Sequence, residues 1–222
     1  MDEKFEKTTV GEKVAEFVTS FHSILLTVVV VVVVVLGVYG TVAAVSASNS
    51  EKGLENIDSI SYVMTKDSAS LSDEELKGRA DTALASLSAY VSKSGIVGVR
   101  ANMLAAEIYY SQKDYEKAAS AWKKAAEKGK KSYTAPLAYF NAAVAYEEAG
   151  NADEAEKAYR QVVAHKDFDQ IAHAKFSLGR VLEEKGNKDE AVAVYTELYN
   201  SVPEDSWAKL AKSRLLVLEE NE

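Results

Sequence analysis

Apolar and polar positions divide the chain near residue 48. Before that point, Ile24 to Ala47 carry no charge, and eight consecutive valines, Val28 to Val35, sit at the centre. About 22 residues at 1.5 Å each reach roughly 33 Å, enough to span a hydrocarbon core of about 30 Å. Valine is a mediocre helix former in water. In lipid the backbone can satisfy its polar groups only within itself, so helix is forced. Residues 23–47 are therefore predicted as a transmembrane helix, with 24–45 facing the bilayer. In the preceding tail, 1–22, Val10, Val14, Phe17, Val18 and Phe21 share one helical stripe, and Thr9 with Glu12 has the spacing of a capping box. That pattern predicts a short amphipathic helix leading into the span.

A cleavable leader would need a basic start and an apolar stretch of about 7–15 residues. Val45-Ser46-Ala47 offers a cleavage site, but the apolar stretch is longer, and the first 22 residues hold five acids against three lysines. A retained anchor is the expectation. Lys4, Lys7 and Lys13 precede the span and only Lys52 lies close after it. This bias puts the N-terminus in the cytoplasm and the C-terminal part on the periplasmic or other extracytoplasmic side of a bacterial inner membrane.

From 48 to 222 the apolar spacing becomes that of packed helices, and the segment repeats itself. Ala118, Ala155 and Ala191 are 37 and 36 residues apart, and an aromatic follows each by four: Trp122, Tyr159 and Tyr195. Nine residues before each stands Tyr109, Tyr146 or Leu182; twelve before stands Ala106, Ala143 or Gly179. The small residue lets two helices approach, and the large one fills the space beside it. Gly150-Asn151 and Gly186-Asn187 suit a left-handed helix end followed by an N-cap, and Pro203 terminates the third unit. The first unit carries Lys113 in place of that glycine.

These residues resemble the tetratricopeptide repeat, a helix–turn–helix unit of about 34 residues. The resemblance implies an all-α solenoid with repeats at about 99–135, 136–171 and 172–205. A degenerate unit at about 64–97 is expected before them. Its second helix covers 73–92, opened by a Ser72/Glu75 capping box, and its first helix lies near 52–64 with Leu54, Ile57, Ile60 and Met64 inward. Trp207, Leu210, Leu215 and Leu218 suggest a capping helix over 206–220, which a solenoid end requires.

Composition narrows the chemistry. The formal net charge is −8, which argues against a nucleic-acid partner, and there is no cysteine, which excludes thiolate metal sites and thiol nucleophiles. His165, Asp167, Asp169 and His173 fall in an inter-repeat connector and read as solvated rather than as metal ligands. Gly129-Lys130-Lys131-Ser132 lacks the earlier glycine and preceding strand of a phosphate loop. No enzyme, cofactor or small-molecule substrate is expected.

In the repeat family, ligands lie in the concave groove lined by first helices. Its carboxylate clamp is not expected here, since only Asn141 matches while Met103, Glu107, His173 and Ser177 do not. The groove positions instead hold Met103, Tyr110, Phe140, Val144 and Phe176, with Glu107, Glu147, Glu148, Arg180, Glu183 and Glu184 around them. An apolar strip with an acidic rim suits an apolar protein segment with basic flanks. The alternative is that other parts of the chain cover these residues. The order of tail, single span and exported repeats is similar to the ancillary tetratricopeptide subunit of the bacterial Sec translocon. That resemblance implies a chaperone-like role toward exported proteins. A structural scaffold of an envelope or motility complex is the alternative, with Gly40 and Ala44 as a close-packing pair on the span.

Overall fold

The structure, a computed structural model, describes residues 9–220. Lys4 and Lys7, on which the orientation reading partly rests, lie outside those residues. Two compact units divide the chain, the first ending at Glu51 and the second starting at Lys52.

The first unit consists of the N-terminal part of helix α1, Val10–Thr65. Its capping box is formed, with Thr9 N–H donating to Glu12 Oε2 at 2.7 Å and Glu12 N–H to Thr9 Oγ1 at 3.4 Å. The valines from Val28 to Val35 are each at least half exposed among the described residues. This stretch is long and apolar enough to cross a membrane. The tail helix, the span and the first helix of the degenerate unit were expected as separate pieces. The chain forms one helix through all three, because nothing from Ser46 to Glu51 is a proline or glycine that would break it.

In the second unit α1 continues to Thr65, followed by a short 3-10 turn, Ser68–Ser70, and α2, Asp73–Leu87. The Ser72/Glu75 capping box is complete. Helix α2 ends at Leu87 rather than near 92: the following turn is held by Asn102, whose amide donates to Val91 O at 2.8 Å. Ile57 is fully buried against Ala80, Ala83, Leu87, Val97 and Leu104, with Leu54, Ile60 and Met64 beside it. A Cβ at Gly53 would stand 2.9 Å from a Val97 methyl, so the glycine is what admits that valine.

Three helix pairs follow: α3 and α4 (Gly95–Ser111, Tyr115–Lys128), α5 and α6 (Thr134–Glu148, Ala152–Val163), and α7 and α8 (Ile171–Glu184, Lys188–Ser201). A last helix, α9, spans Ser206–Glu219. Each helix packs on its successor from α3 onward, the signature of a solenoid, and there is no strand among the described residues. Ala106, Ala118, Ala143, Ala155, Leu182 and Ala191 are completely buried, and Trp122, Tyr159, Tyr195 and Gly179 are buried between them. Tyr109 and Tyr146 are only half-buried, because their rings extend toward the surface; Pro203 lies exposed in the turn before α9.

The turns inside the pairs explain a departure in the sequence. Gly150 and Gly186 take φ of 72° and 78°, and Lys113, at the equivalent place, takes φ of 61°. A lysine pays for that left-handed conformation where glycine would not. The next residue caps the second helix through its side chain in two units, with Asp114 accepting from Lys117 N–H and Asn151 from Glu154 N–H. Asn187 makes no such bond.

Candidate interaction surface

The expected groove residues separate into three groups once their surroundings are known. Phe140 and Phe176 belong to the interior and its edge. Phe140 is 6% exposed and meets Tyr159, Phe168 and His173 at 5.8, 6.3 and 4.9 Å between ring centroids. Phe176, half-buried, lies against Tyr195 and Trp207 at 5.7 and 5.5 Å. His173 is stacked on Trp207 at 3.8 Å, so α9 covers this row as a further first helix would. Burial first, and then the charge of Arg180, hold the His173 imidazole below its usual pKa. Phe140 is therefore not an open anchor for a ligand.

Glu147, Arg180 and Glu183 form the second group, which joins successive repeats. Glu147 accepts a 2.6 Å hydrogen bond from Tyr159 Oη and pairs with Arg180 of the next repeat. Glu183 faces buried Tyr195 and pairs with Arg214 of α9. The two sets are offset by 36 residues at the glutamate, 36 at the tyrosine and 34 at the arginine. Burial, then the neighbouring glutamate, pushes the pKa of both tyrosines upward. For Glu183, burial works to raise the carboxyl, but Arg214 and Tyr195 outweigh it and the net shift is downward.

That shift fixes the sign of a pH effect. A carboxyl held below its unfolded value contributes stability above the ordinary carboxylate range and loses it as pH falls through the folded value. Arg214→Gln should thus cost about 1 kcal/mol at pH 7, and chemical denaturation should show that difference shrinking at an acid pH below the ordinary carboxylate range. An equal deficit at both pH values would mean that Arg214 acts by packing alone.

The third group remains open. Met103, Tyr110 and Val144 are half-buried, and Glu107 is exposed on the same helix as Met103 and Tyr110. Sequence reasoning placed Glu148 beside this neighbourhood and missed Trp122 as a donor. Trp122 falls in register when positions are counted from the buried alanines, which is the signal that finds it.

The geometry defines a helix–turn–helix solenoid. The tetratricopeptide-repeat profile matches residues 77–133, 117–170 and 140–206, and the chain belongs to that family. Members of this family typically serve as protein-interaction scaffolds. A "TPR repeat-containing protein" of Treponema pallidum (strain Nichols) is 30% identical over 146 residues. The aligned part is 64% of this chain and 61% of that curated relative's length. Among solved structures, a Podosopora anserina putative kinesin light chain with nearly identical TPR-like repeats superposes with a TM-score of 0.56 at 13% identity. The match covers 77% of this chain and 87% of that one. A crystal structure of MamA protein gives a TM-score of 0.45 at 21% identity, over 58% of this chain and 70% of that one.

Proposed function

We propose that this protein is a membrane-anchored protein-binding module that assists exported proteins at the Sec translocon as an ancillary, chaperone-like subunit. The observation that carries the reading is the set of half-buried Met103, Tyr110 and Val144 beside exposed Glu107, in a repeat array whose later positions, Phe140, Glu147, Arg180 and Glu183, are engaged by ring contacts and ion pairs of its own chain. Its apolar residues suit an exported segment that has not yet folded, and its acids suit the basic residues flanking such a segment. The uncovered apolar part of α1 supports an anchor spanning 24–45, and the lysines before Ile24 support a cytoplasmic N-terminus with the repeats outside. A few large side chains in such a strip would carry most of the affinity.

A photocrosslinker at Tyr110 in the full chain, with one at Glu116 as control, tests this in intact cells. The expected products join position 110, and not 116, to exported proteins and the translocon channel. A stoichiometric envelope assembly without the channel would favour the scaffold reading instead. A reporter fused after Glu222 should be active only outside the cytoplasm. Protection of the repeats from protease in spheroplasts would overturn that orientation.

A further inference from the structure

The seams between repeats follow one rule, and the first seam breaks it. From the second repeat to the third, glutamate, tyrosine and arginine meet as Glu147, Tyr159 and Arg180; from the third to α9 they are Glu183, Tyr195 and Arg214. Between the first and second repeats the same three positions hold Tyr110, Trp122 and Val144. The arginine is missing and so is the acid that received it.

Two carboxylates stand at this seam all the same. Glu107 lies one turn before Tyr110 on α3, and Glu148 lies one turn after Val144 on α5. Glu148 is near enough that its charge, after burial, helps raise the Tyr110 hydroxyl pKa, with Tyr115 adding to it. Neither glutamate makes a hydrogen bond or ion pair among the described residues. The protein around it partly desolvates the Glu107 carboxyl and pushes its pKa upward, with only Arg100 opposing, and Arg100 is itself paired with Asp58 at 3.5 Å. Tyr110, on the same helix as Glu107, is part of an aromatic cluster, 5.5 Å from Trp122 and 5.2 Å from Tyr115, centroid to centroid.

Trp122 adds an independent observation. It is 6% exposed, its indole lies against Tyr110, and its Nε1–H is buried with no acceptor. Its counterpart Tyr159 donates to Glu147 from the same position. A buried donor without a partner costs about 1–3 kcal/mol, so an acceptor supplied by a ligand gains that much advantage here. The chain provides such an acceptor in the second repeat, sets Glu183 near the Tyr195 hydroxyl in the third without a hydrogen bond, and provides no carboxylate at that position in the first.

We infer that the seam between the first and second repeats binds a basic side chain, arginine or lysine, presented by an apolar protein segment. The cation lies over Tyr110 between Glu107 and Glu148, in the role that Arg180 and Arg214 play within the chain. A main-chain carbonyl of the same segment takes the Trp122 N–H once the Tyr110 ring turns aside. Cation–π contact and two unpaired carboxylates act on the same charge. The inference rests on the protein-binding reading above and names the chemistry of what is bound.

The test uses the full chain in lipid nanodiscs, with empty nanodiscs subtracted. The probes are a short fluorescein-labelled peptide of leucine, alanine and serine with one central arginine, and the same peptide with neutral, isosteric citrulline. Fluorescence anisotropy should show the arginine peptide binding about tenfold tighter. Glu107→Gln with Glu148→Gln should erase that preference; both sites are exposed, so the variant keeps its fold. Asp73→Asn with Glu74→Gln, acids on α2, should leave it intact. Trp122→Phe keeps a ring and removes the donor, and should weaken both peptides alike. Equal binding of the two peptides, abolished by Tyr110→Ala, would leave the groove standing and overturn the cation assignment. A preference that survives the double glutamine change would also overturn it, since a general acidic surface would then be responsible. Unchanged affinity in Trp122→Phe would remove the indole donor from the site. Binding of neither peptide would overturn both the assignment and the groove.

Discussion

Alanine at position 140 should lower the unfolding free energy by about 3–5 kcal/mol, the usual cost of deleting a buried phenylalanine. The size follows from where the ring sits. Phe140 leaves only 6% of its surface to solvent and touches rings from three places: Tyr159 on α6, Phe168 in the connector after it, and His173 on α7. Removing it empties the junction of two repeats, which these neighbours cannot fill without moving. Thermal unfolding of the parent and Phe140→Ala measures the loss. Phe176→Ala should cost less, because Phe176 is only half-buried. If Phe140→Ala melted with the parent while losing a bound partner, the ring would be a ligand anchor and its packing incidental.

The second large effect is expected at Gly179. A Cβ there would fall 2.7 Å from Tyr195 Cζ and 2.8 Å from Tyr195 Cδ1. Tyr195 is fully buried and cannot retreat into solvent. Gly179→Leu should destabilise by roughly 1–3 kcal/mol or more through overpacking, and Gly179→Ala by a smaller amount of the same sign. Gly78 makes a control on an exposed helix face, since a Cβ there meets nothing within 4 Å. There alanine should instead stabilise by up to about 1 kcal/mol, as its helix propensity predicts. Denaturant midpoints of the three variants decide this, and a neutral Gly179→Ala would show that α7 and α8 do not pack as closely as described.

The repeat was legible because its strongest constraints are local and periodic. Small residues at Ala106, Ala143 and Gly179, with aromatics at Trp122, Tyr159 and Tyr195, are required wherever two helices cross closely, so they return at each turn of the array. The α1 boundary was not legible. A change from apolar to polar composition near Ala47 looks like the end of an element, yet a helix can pass from one environment to another without any backbone signal. Which of the expected groove residues the chain itself covers was not legible. Whether Phe140 faces a ligand or a neighbour depends on Phe168 and His173, which reach it from a connector and a later helix. Glu147 and Arg180 look like a ligand rim when each helix is viewed alone, and become a stitch only when two repeats are placed side by side.

The uneven seams give the array a direction. Coupling between neighbouring repeats sets how a solenoid frays, much as bonds between links set where a chain parts. The junction of the second and third repeats is crossed by several part-exposed ion pairs, Glu147 with Arg180, Arg160 with Glu190, and Lys185 with Asp153 and Glu156, whereas the junction of the first and second repeats has Lys123 with Glu154 beside the apolar contact of Tyr110, Trp122 and Val144. Dissolved ions weaken the ion pairs and leave the apolar contact nearly untouched. Ionic strength therefore acts as a selector of which junction loosens first, and the one between the second and third repeats is the one that responds most to it.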